Sequence, residues 1–164
     1  MARAVSSPPS RRALFVDTAG WMAMADAADP AHESSRRERD SCLEGGGILV
    51  STDYVIDETL TLIRVRLGLG AAAEWWAQID ASSRIRWERI DASRAEKART
   101  RFFERADRVE WTDSDLSFTH CTSFVVMQEL GLARALTTDR HFSQAGFETV
   151  PRVPDRRRRY SLGE

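Results

Sequence analysis

Four residues of this chain have the types and positions that a metal-dependent hydrolytic site needs: Asp17, Glu58, His120 and Asp139. Asp17 and Asp139 each follow a short apolar run, whereas Glu58 and His120 lie in longer segments with helical spacing. Carboxylate oxygens are preferred ligands of hard divalent cations, and a neutral imidazole offers one nitrogen. Such a cation lowers the pKa of a bound water and stabilises charge on a phosphate under attack. This chemistry requires that the fold bring the four side chains together.

The segment from Trp111 to Phe142 positions two of these residues. A polar, acid-rich stretch leads to Ser117 and Thr119, which are natural helix caps, and Gly131 supplies a stop signal. From Thr119 the apolar residues fall at helical spacing, at Phe124, Val125, Met127, Leu130 and Leu132. His120 is therefore predicted in the first helical turn, where unpaired backbone N–H groups favour an anion or a metal-bound group.

Asp139 and Asp17 are both predicted at the carboxyl ends of buried strands. The run Ala135-Leu136-Thr137 is long enough for a short strand, and Asp139 comes just beyond it. The continuous apolar run from Ala13 to Val16 is typical of a strand covered on both faces, and Asp17 ends it. Ligands of open α/β sheets bind at this edge, so we expect both acids there.

Glu58 lies on a helix predicted from about Asp53 to Leu67. A strand at residues 48–50 precedes it, Ser51 or Thr52 caps it, and Gly68 follows it. Apolar residues flank Glu58 three positions before and four after, so this acid does not lie on a clean polar face. Burial of an isolated carboxylate is costly unless it is paired or binds a metal. The adjacent Asp57 points elsewhere and is interpreted as a surface acid.

The other segments predict helices at residues 18–28, 32–44, 71–79 and 92–106, and strands at 85–90 and 146–150. Strands separated by helical patterns predict an α/β fold with three layers, in which a central parallel sheet lies between helices. On that architecture Asp17, Glu58, His120 and Asp139 reach one edge. Converging acids repel one another and raise one pKa sharply unless a cation neutralises them. Mg²⁺ or Mn²⁺ is the expected cation.

Each of these residues also has a simpler interpretation. Asp17 could cap the helix that begins at Thr18, Glu58 could be a solvated helix acid, and Asp139 could cap a short helix through Phe142. Cys121 beside His120 suggests a cysteine nucleophile, but adjacent helical residues diverge, so this pairing is rejected.

Histidines and tryptophans elsewhere are given no part in the chemistry. His32 and His141 are interpreted as structural or solvent-facing residues. Trp75, Trp76 and Trp87 are interpreted as core or dimer contacts, because no alternation of basic and aromatic residues surrounds them.

Length and composition indicate one domain and exclude several classes of protein. The 164 residues carry a formal charge of −1, so net charge alone indicates neither a nucleic-acid partner nor a membrane partner. The two cysteines form no disulfide framework and suit a reducing cytoplasm, and no segment is apolar enough to span a bilayer. We expect a disordered lead-in at residues 1–12, without a signal peptide, one domain at 13–151, and a basic tail at 152–164.

Four segments occur in order along the chain: VDTAGW from Val16, STDYVIDETLTLIR from Ser51, DLSFTHCTSFVVM from Asp115 and ALTTDRHF from Ala135. Together they resemble the PIN domains, and specifically the VapC-type toxins of toxin–antitoxin pairs. The resemblance extends over almost everything between Leu14 and Val150. It implies a parallel sheet between helices and a cytoplasmic Mg²⁺- or Mn²⁺-dependent endoribonuclease toxin. It also implies a cognate antitoxin that holds the enzyme inactive, an RNA substrate and a homodimer.

By this resemblance the family's acids fall on Asp17, Glu58 and Asp139, and its remaining acid falls on His120. Family members usually read SFTDC where this chain has SFTHC, so a nitrogen ligand replaces a carboxylate. Asp113 and Asp115 could partly replace the missing acid or could be loop acids, and Asp115 is included among the expected metal ligands. Thr18 and Thr138 could orient water or phosphate. The alternative function is a catalytically disabled PIN-like module that binds protein or RNA.

Overall fold

The computed structural model describes residues 12–104 and 116–152 of the chain. Residues 1–11 of the predicted lead-in, the acids Asp113 and Asp115, and the basic tail from residue 153 onward lie outside the described residues. Both parts that are described contribute strands to one sheet and helices that pack around it.

The sheet has five parallel strands in the order β3-β2-β1-β4-β5. Their bounds are β1 Ala13–Val16, β2 Ile48–Thr52, β3 Ile85–Glu88, β4 Arg134–Leu136 and β5 Glu148–Val150. The chain begins in the middle of the sheet, builds outward through β2 and β3, and then returns to the other side of β1. The predicted central parallel sheet is therefore confirmed, and β1 and β4 are neighbours although more than a hundred residues separate them in the sequence.

Seven helices lie in the two described parts and complete the three-layer α/β/α architecture that the sequence predicted. Their bounds are α1 Thr18–Ala25, α2 His32–Glu44, α3 Asp53–Leu67, α4 Leu69–Ala81, α5 Ala92–Phe103, α6 Phe118–Leu130 and α7 Arg140–Gln144. None of these helices is both long and apolar enough to cross a membrane.

The core lies on both sides of β1, whose four residues are all buried. A strand covered on both faces reads as a continuous apolar run because neither face meets water. Trp21 of α1 packs edge-on against Trp75 of α4, with ring centroids 5.7 Å apart. The Trp21 indole N–H donates to the Ser51 hydroxyl over 3.3 Å, which satisfies the polar atom of a buried ring. Trp75 is a core residue, as predicted, whereas Trp76 is 44% exposed.

Side-chain hydrogen bonds explain where two elements end earlier than predicted. Helix α1 ends at Ala25 because the Asp26 carboxylate accepts the backbone N–H of Ala28, which stabilises a turn instead of a further helical turn. Strand β3 ends at Glu88, and the N–H of Ile90 donates to Asp53 rather than to the sheet. These contacts join residues through side chains, so apolar spacing did not predict them.

Gly20 allows α1 to lie directly against the end of β4. A Cβ atom at this position would overlap the carbonyl oxygen of Leu136, a backbone atom that cannot move without distorting the sheet. The same carbonyl accepts the backbone N–H of Asp17 over 3.3 Å. The absence of a side chain at Gly20 therefore keeps the start of α1 close to the carboxyl ends of β1 and β4.

We predict that Gly20→Ala lowers the free energy of unfolding by about 1–3 kcal/mol, because the added methyl group overpacks a rigid contact. Gly70→Ala is the matched control, since a Cβ at Gly70 in α4 meets nothing within 4 Å. Urea unfolding of both variants measures the difference. A Gly20→Ala variant as stable as the Gly70→Ala variant would contradict the proposed contact.

Candidate active site

The carboxyl ends of β1 and β4 form the edge at which the predicted residues meet. Val16 is in register with Leu136 in the parallel pair, so Asp17 and the segment leading to Asp139 leave the sheet side by side. Helices α3 and α6 both begin at this end of the fold, and they carry Glu58 and His120 in their first two turns.

Asp17 and Asp139 are linked through the hydroxyl of Thr137. This hydroxyl donates to Oδ2 of Asp17 over 3.3 Å and accepts the backbone N–H of Asp139 over 3.0 Å. Asp17 is only 2% exposed and makes no capping hydrogen bond to α1, so capping does not explain its burial. The sequence analysis considered Thr137 only as a strand residue and did not predict this link. The neighbouring Thr138, which was proposed to orient water or phosphate, is exposed.

Glu58 faces Asp17 from α3. The Thr18 hydroxyl donates to Oε2 of Glu58 over 3.3 Å, and Glu58 is half-buried, whereas Asp57 is exposed as predicted. Burial is the largest cause of the raised pKa of Asp17, and the nearby charge of Glu58 raises that pKa slightly further. Glu58 is therefore directed toward the candidate site rather than into bulk solvent.

His120 is held between the cap of α6 and Asp139. Ser117 and His120 form a capping box: the Ser117 side chain accepts the His120 N–H over 3.1 Å, and the Ser117 N–H donates to Nδ1 of His120 over 3.0 Å. On the other side of the ring, Nε2 lies 3.0 Å from Oδ2 of Asp139. The structure thus brings together the two residues that the sequence directed to one edge.

The capping box selects a tautomer of His120. Because Nδ1 accepts a backbone N–H, it carries the lone pair, and the proton of the neutral ring lies on Nε2. Nε2 therefore donates to Asp139. In this arrangement His120 supplies a donor to the carboxylate, and coordination of a metal through Nε2 requires loss of that contact.

His141 is a member of the site that the sequence analysis missed. Its Nδ1 lies 2.6 Å from Oδ1 of Asp139, and its backbone N–H donates to the same oxygen over 2.8 Å. The second contact makes Asp139 the cap of α7, which confirms that interpretation of Asp139. His141 is 3% exposed, and its ring stacks on His120 with centroids 5.0 Å apart. The available signal was its position two residues after Asp139, in the turn that this acid caps.

His120, Asp139 and His141 form a compact donor cluster. Each offers one ligand atom, and the three atoms lie within 4.8 Å of one another. Nε2 of His141 is buried and has no hydrogen-bond partner among the described residues. A mixed set of two nitrogens and one carboxylate suits first-row transition ions better than Mg²⁺.

The two aspartates have opposite electrostatic environments. Burial raises the pKa of Asp17 to about 6, the His120 imidazole partly offsets this, and the charges of Asp139 and Glu58 raise the pKa further. Burial also acts to raise the pKa of Asp139, but the hydrogen bonds from His120 and His141 outweigh it and hold that pKa well below its usual range. Without a cation, Asp139 is therefore ionised at and below neutral pH, whereas Asp17 keeps its proton up to about pH 6.

A divalent cation fits these donors. Asp17, Glu58 and Asp139 supply hard oxygens at one edge, and the buried Asp17 carboxylate gains most from a neighbouring positive charge. Cys121 does not compete as a nucleophile, because it is fully buried and burial raises the pKa of its thiol to about 11.

Comparison with known proteins agrees with this geometry. A model of the PIN domain matches residues 14–148. Two relatives named 23S rRNA-specific endonuclease VapC20, from Mycobacterium tuberculosis strains CDC 1551 / Oshkosh and ATCC 25618 / H37Rv, are each 34% identical over 137 residues. Each match covers 84% of this chain and 97% of the relative.

A solved structure is similar over the same extent. The crystal structure of Mycobacterium tuberculosis VapC20, described as a Sarcin-Ricin loop cleaving toxin, has a TM-score of 0.68 and 32% sequence identity to this chain. The match covers 82% of this chain and 95% of that chain. Similarity at this level shows that the two chains share the same fold.

We predict that Asp17→Asn raises the free energy of unfolding at pH 8 in EDTA, by up to about 3 kcal/mol, and changes it little at pH 4. In the folded protein the pKa of Asp17 is about 6, whereas the ordinary pKa of an aspartate is 3.8. The wild-type protein therefore loses stability as the pH rises between these values, and the uncharged amide does not. Urea unfolding at both pH values measures the gain, with the exposed Asp57→Asn as control. An equal gain at pH 4 and pH 8 would contradict the charge argument.

Proposed function

The chain belongs to the PIN-domain family, and from that membership we propose that it is a metal-dependent endoribonuclease of toxin type. The proposal is carried by the convergence of Asp17, Glu58 and Asp139 at the carboxyl edge of a parallel sheet. RNA is the proposed substrate because the relatives with 34% identity are named 23S rRNA-specific endonucleases.

We assign the binding of Mg²⁺ or Mn²⁺ to Asp17, Glu58 and Asp139, with His120 and Asp115 as further proposed ligands. A cation held by these residues would lower the pKa of a bound water and would stabilise charge on the attacked phosphate. Asp115 lies outside the described residues, so its assignment rests on the sequence alone.

The protein's own groups orient these ligands. The Thr137 hydroxyl holds Asp17 beside Asp139, and the Thr18 hydroxyl holds Glu58. His141 holds one oxygen of Asp139 with both its ring N–H and its backbone N–H. The carboxylates are thus oriented before a cation arrives, which lowers the cost of binding it. Thr18 and Thr138 stay assigned to the orientation of water or phosphate.

A second candidate function is a PIN-like binding module without catalytic activity. It is favoured by the contact of 3.0 Å between Nε2 of His120 and Oδ2 of Asp139, since a hydrogen-bond donor lies where the family has a carboxylate. In this alternative His120 satisfies Asp139 in place of the cation, and the domain keeps only its binding surfaces.

The proposed partners follow from the family. We propose a cognate antitoxin that places an arginine over the acidic edge, because a guanidinium can satisfy carboxylates that otherwise bind a cation. A purified complex that keeps full nuclease activity would argue against this arrangement. A homodimer and a cytoplasmic location are also proposed, and the two unpaired cysteines suit a reducing compartment.

We predict that Glu58→Gln lowers the rate of RNA cleavage at least 100-fold, because it removes a metal-binding carboxylate, whereas Asp57→Asn leaves the rate within about twofold. The two acids are adjacent on α3 and differ in direction, since Glu58 contacts Thr18 and Asp57 is exposed. Cleavage of a panel of structured RNAs with Mn²⁺, Mg²⁺ or EDTA measures the effect. Undiminished cleavage by Glu58→Gln, or by the wild-type protein in EDTA, would reject the mechanism.

We predict that His120→Asp binds Mg²⁺ about 10-fold or more tightly than the wild-type protein, as measured by calorimetry. The change removes the donor from Asp139 and adds hard oxygens, whereas the wild-type imidazole favours Mn²⁺ over Mg²⁺. The RNA panel then separates the two candidate functions. Metal-dependent cleavage by both proteins supports the nuclease, and cleavage by the variant alone supports the binding module.

A further inference from the structure

Aromatic residues from three helices form a row beside the candidate active site. Helices α5 and α6 run antiparallel, since Arg94 and Lys97 near the start of α5 pair with Glu129 near the end of α6, over 2.8 and 2.9 Å. The end of α5 therefore lies at the start of α6, which is the end that carries His120.

The rings contact one another in sequence from α3 to α5. Tyr54 contacts Phe118 with centroids 6.3 Å apart, Phe118 contacts Phe102 at 6.0 Å, and Phe102 contacts Phe103 at 5.2 Å. We call these four residues the aromatic strip. The exposed fractions are 37% for Tyr54, 38% for Phe102 and 74% for Phe103. Phe103, at the end of α5, is therefore the most exposed ring of the strip, and Phe118 is only partly exposed.

The inner end of the strip adjoins the proposed catalytic residues. Tyr54 lies one helical turn before Glu58 on α3, and Phe118 lies two residues before His120 on α6. A ligand that extends from the acidic edge past the start of α6 would therefore meet these rings. The strip is continuous with the site rather than a separate patch.

Packing explains one ring and leaves the others unexplained. Phe118 packs with a small buried cluster of Ala98, Cys121 and Val125, so it anchors the start of α6. Phe103 has no comparable role, because it is exposed on the last turn of α5. Scattered exposed apolar residues are ordinary, but a contiguous row that ends at a catalytic site indicates a binding surface.

The surroundings of the strip include two arginines. Arg99 is exposed and lies three and four residues before Phe102 and Phe103, so it shares their face of α5. It makes no ion pair with any of the residues described in the structure. The Arg101 guanidinium lies 5.0 Å from the centroid of the Phe124 ring. The acidic Glu104 directly follows Phe103, so this surface does not carry charge of one sign only. Its distinctive feature is the row of aromatic rings.

Rings with adjacent guanidinium groups suit nucleobases. Every base has a π-face that stacks on an aromatic side chain, and proteins that recognise RNA loops stack unpaired bases in this way while arginines meet the phosphates. A protein partner, including a second copy of the chain, would also cover an apolar surface. The position of the rings beside a site proposed to cleave phosphodiester bonds favours RNA.

We propose that the aromatic strip stacks unpaired bases of the RNA substrate, with Phe103 and Phe102 as the exposed platform and Tyr54 nearest the cleaved bond. The inference rests on the proposed nuclease function, because it takes RNA as the ligand of the adjoining site. The strip thereby selects single-stranded or looped RNA over a continuous duplex, whose bases are already stacked on each other.

The test measures binding without cleavage. A hairpin RNA with 2-aminopurine in its loop is titrated with the full-length protein in EDTA, and fluorescence reports both affinity and stacking. Phe103→Ala is expected to weaken binding about 10-fold and to lose the stacking signal, whereas Phe103→Trp keeps both. Trp76→Ala, which removes another exposed aromatic ring on α4, is the matched control and should leave both unchanged.

Further readouts distinguish the possible failures. Unchanged affinity and stacking in both Phe103→Ala and Phe102→Ala would overturn the proposal, even if metal-dependent cleavage were intact. A change in sedimenting mass of Phe103→Ala, with RNA binding unaltered, would identify the strip as a contact between copies of the chain and would also overturn it. Stacking without cleavage under any metal would instead refute the nuclease function and leave the strip as an RNA-binding surface. Thermal unfolding of each variant checks that the fold is intact.

Discussion

The Asp139 carboxylate and its donors organise the candidate site. One of its oxygens accepts the ring and backbone N–H groups of His141, and the other lies 3.0 Å from Nε2 of His120. These contacts join the start of α6 to the start of α7, and Thr137 extends them to Asp17 on the neighbouring strand. A carboxylate between two imidazoles is ionised at neutral pH, so it is prepared to bind a cation. It is also already occupied by donors that a cation must displace.

Desolvation of Asp17 acts in the opposite direction. This carboxylate is buried beside two other acids, and in the absence of a cation its environment favours the protonated form. A protein that keeps such a residue gains little stability from it, which favours a functional explanation over a structural one. Binding of a cation therefore affects the two aspartates differently. It stabilises the charged form of Asp17, whereas at Asp139 it replaces a hydrogen-bond donor. His120 links both effects, because its ring donates to Asp139 and, in the protonated form, its positive charge lowers the pKa of Asp17.

Several features of the fold and the site could be predicted from the chain. Apolar runs and helix caps predicted the parallel sheet, and most helices begin within two residues of the expected position. The convergence of Asp17, Glu58, His120 and Asp139 could be predicted because strand ends and first helical turns meet at one edge of a parallel sheet. His141 was missed, because apolar periodicity carries no information about which hydrogen bonds a polar residue makes. Thr137 was missed as a link for the same reason.

By itself the sequence determined which residues can do chemistry and to which edge they belong, because these follow from residue type and from periodicity along the chain. Only the tertiary structure decided how those groups act on one another. The tautomer of His120 depends on a backbone N–H three residues away, and the raised pKa of Asp17 depends on burial by several elements. The aromatic strip likewise forms because α6 packs antiparallel to α5, which places the end of α5 beside the start of α6. Such properties depend on distances between residues that are remote in the sequence, which no local pattern specifies.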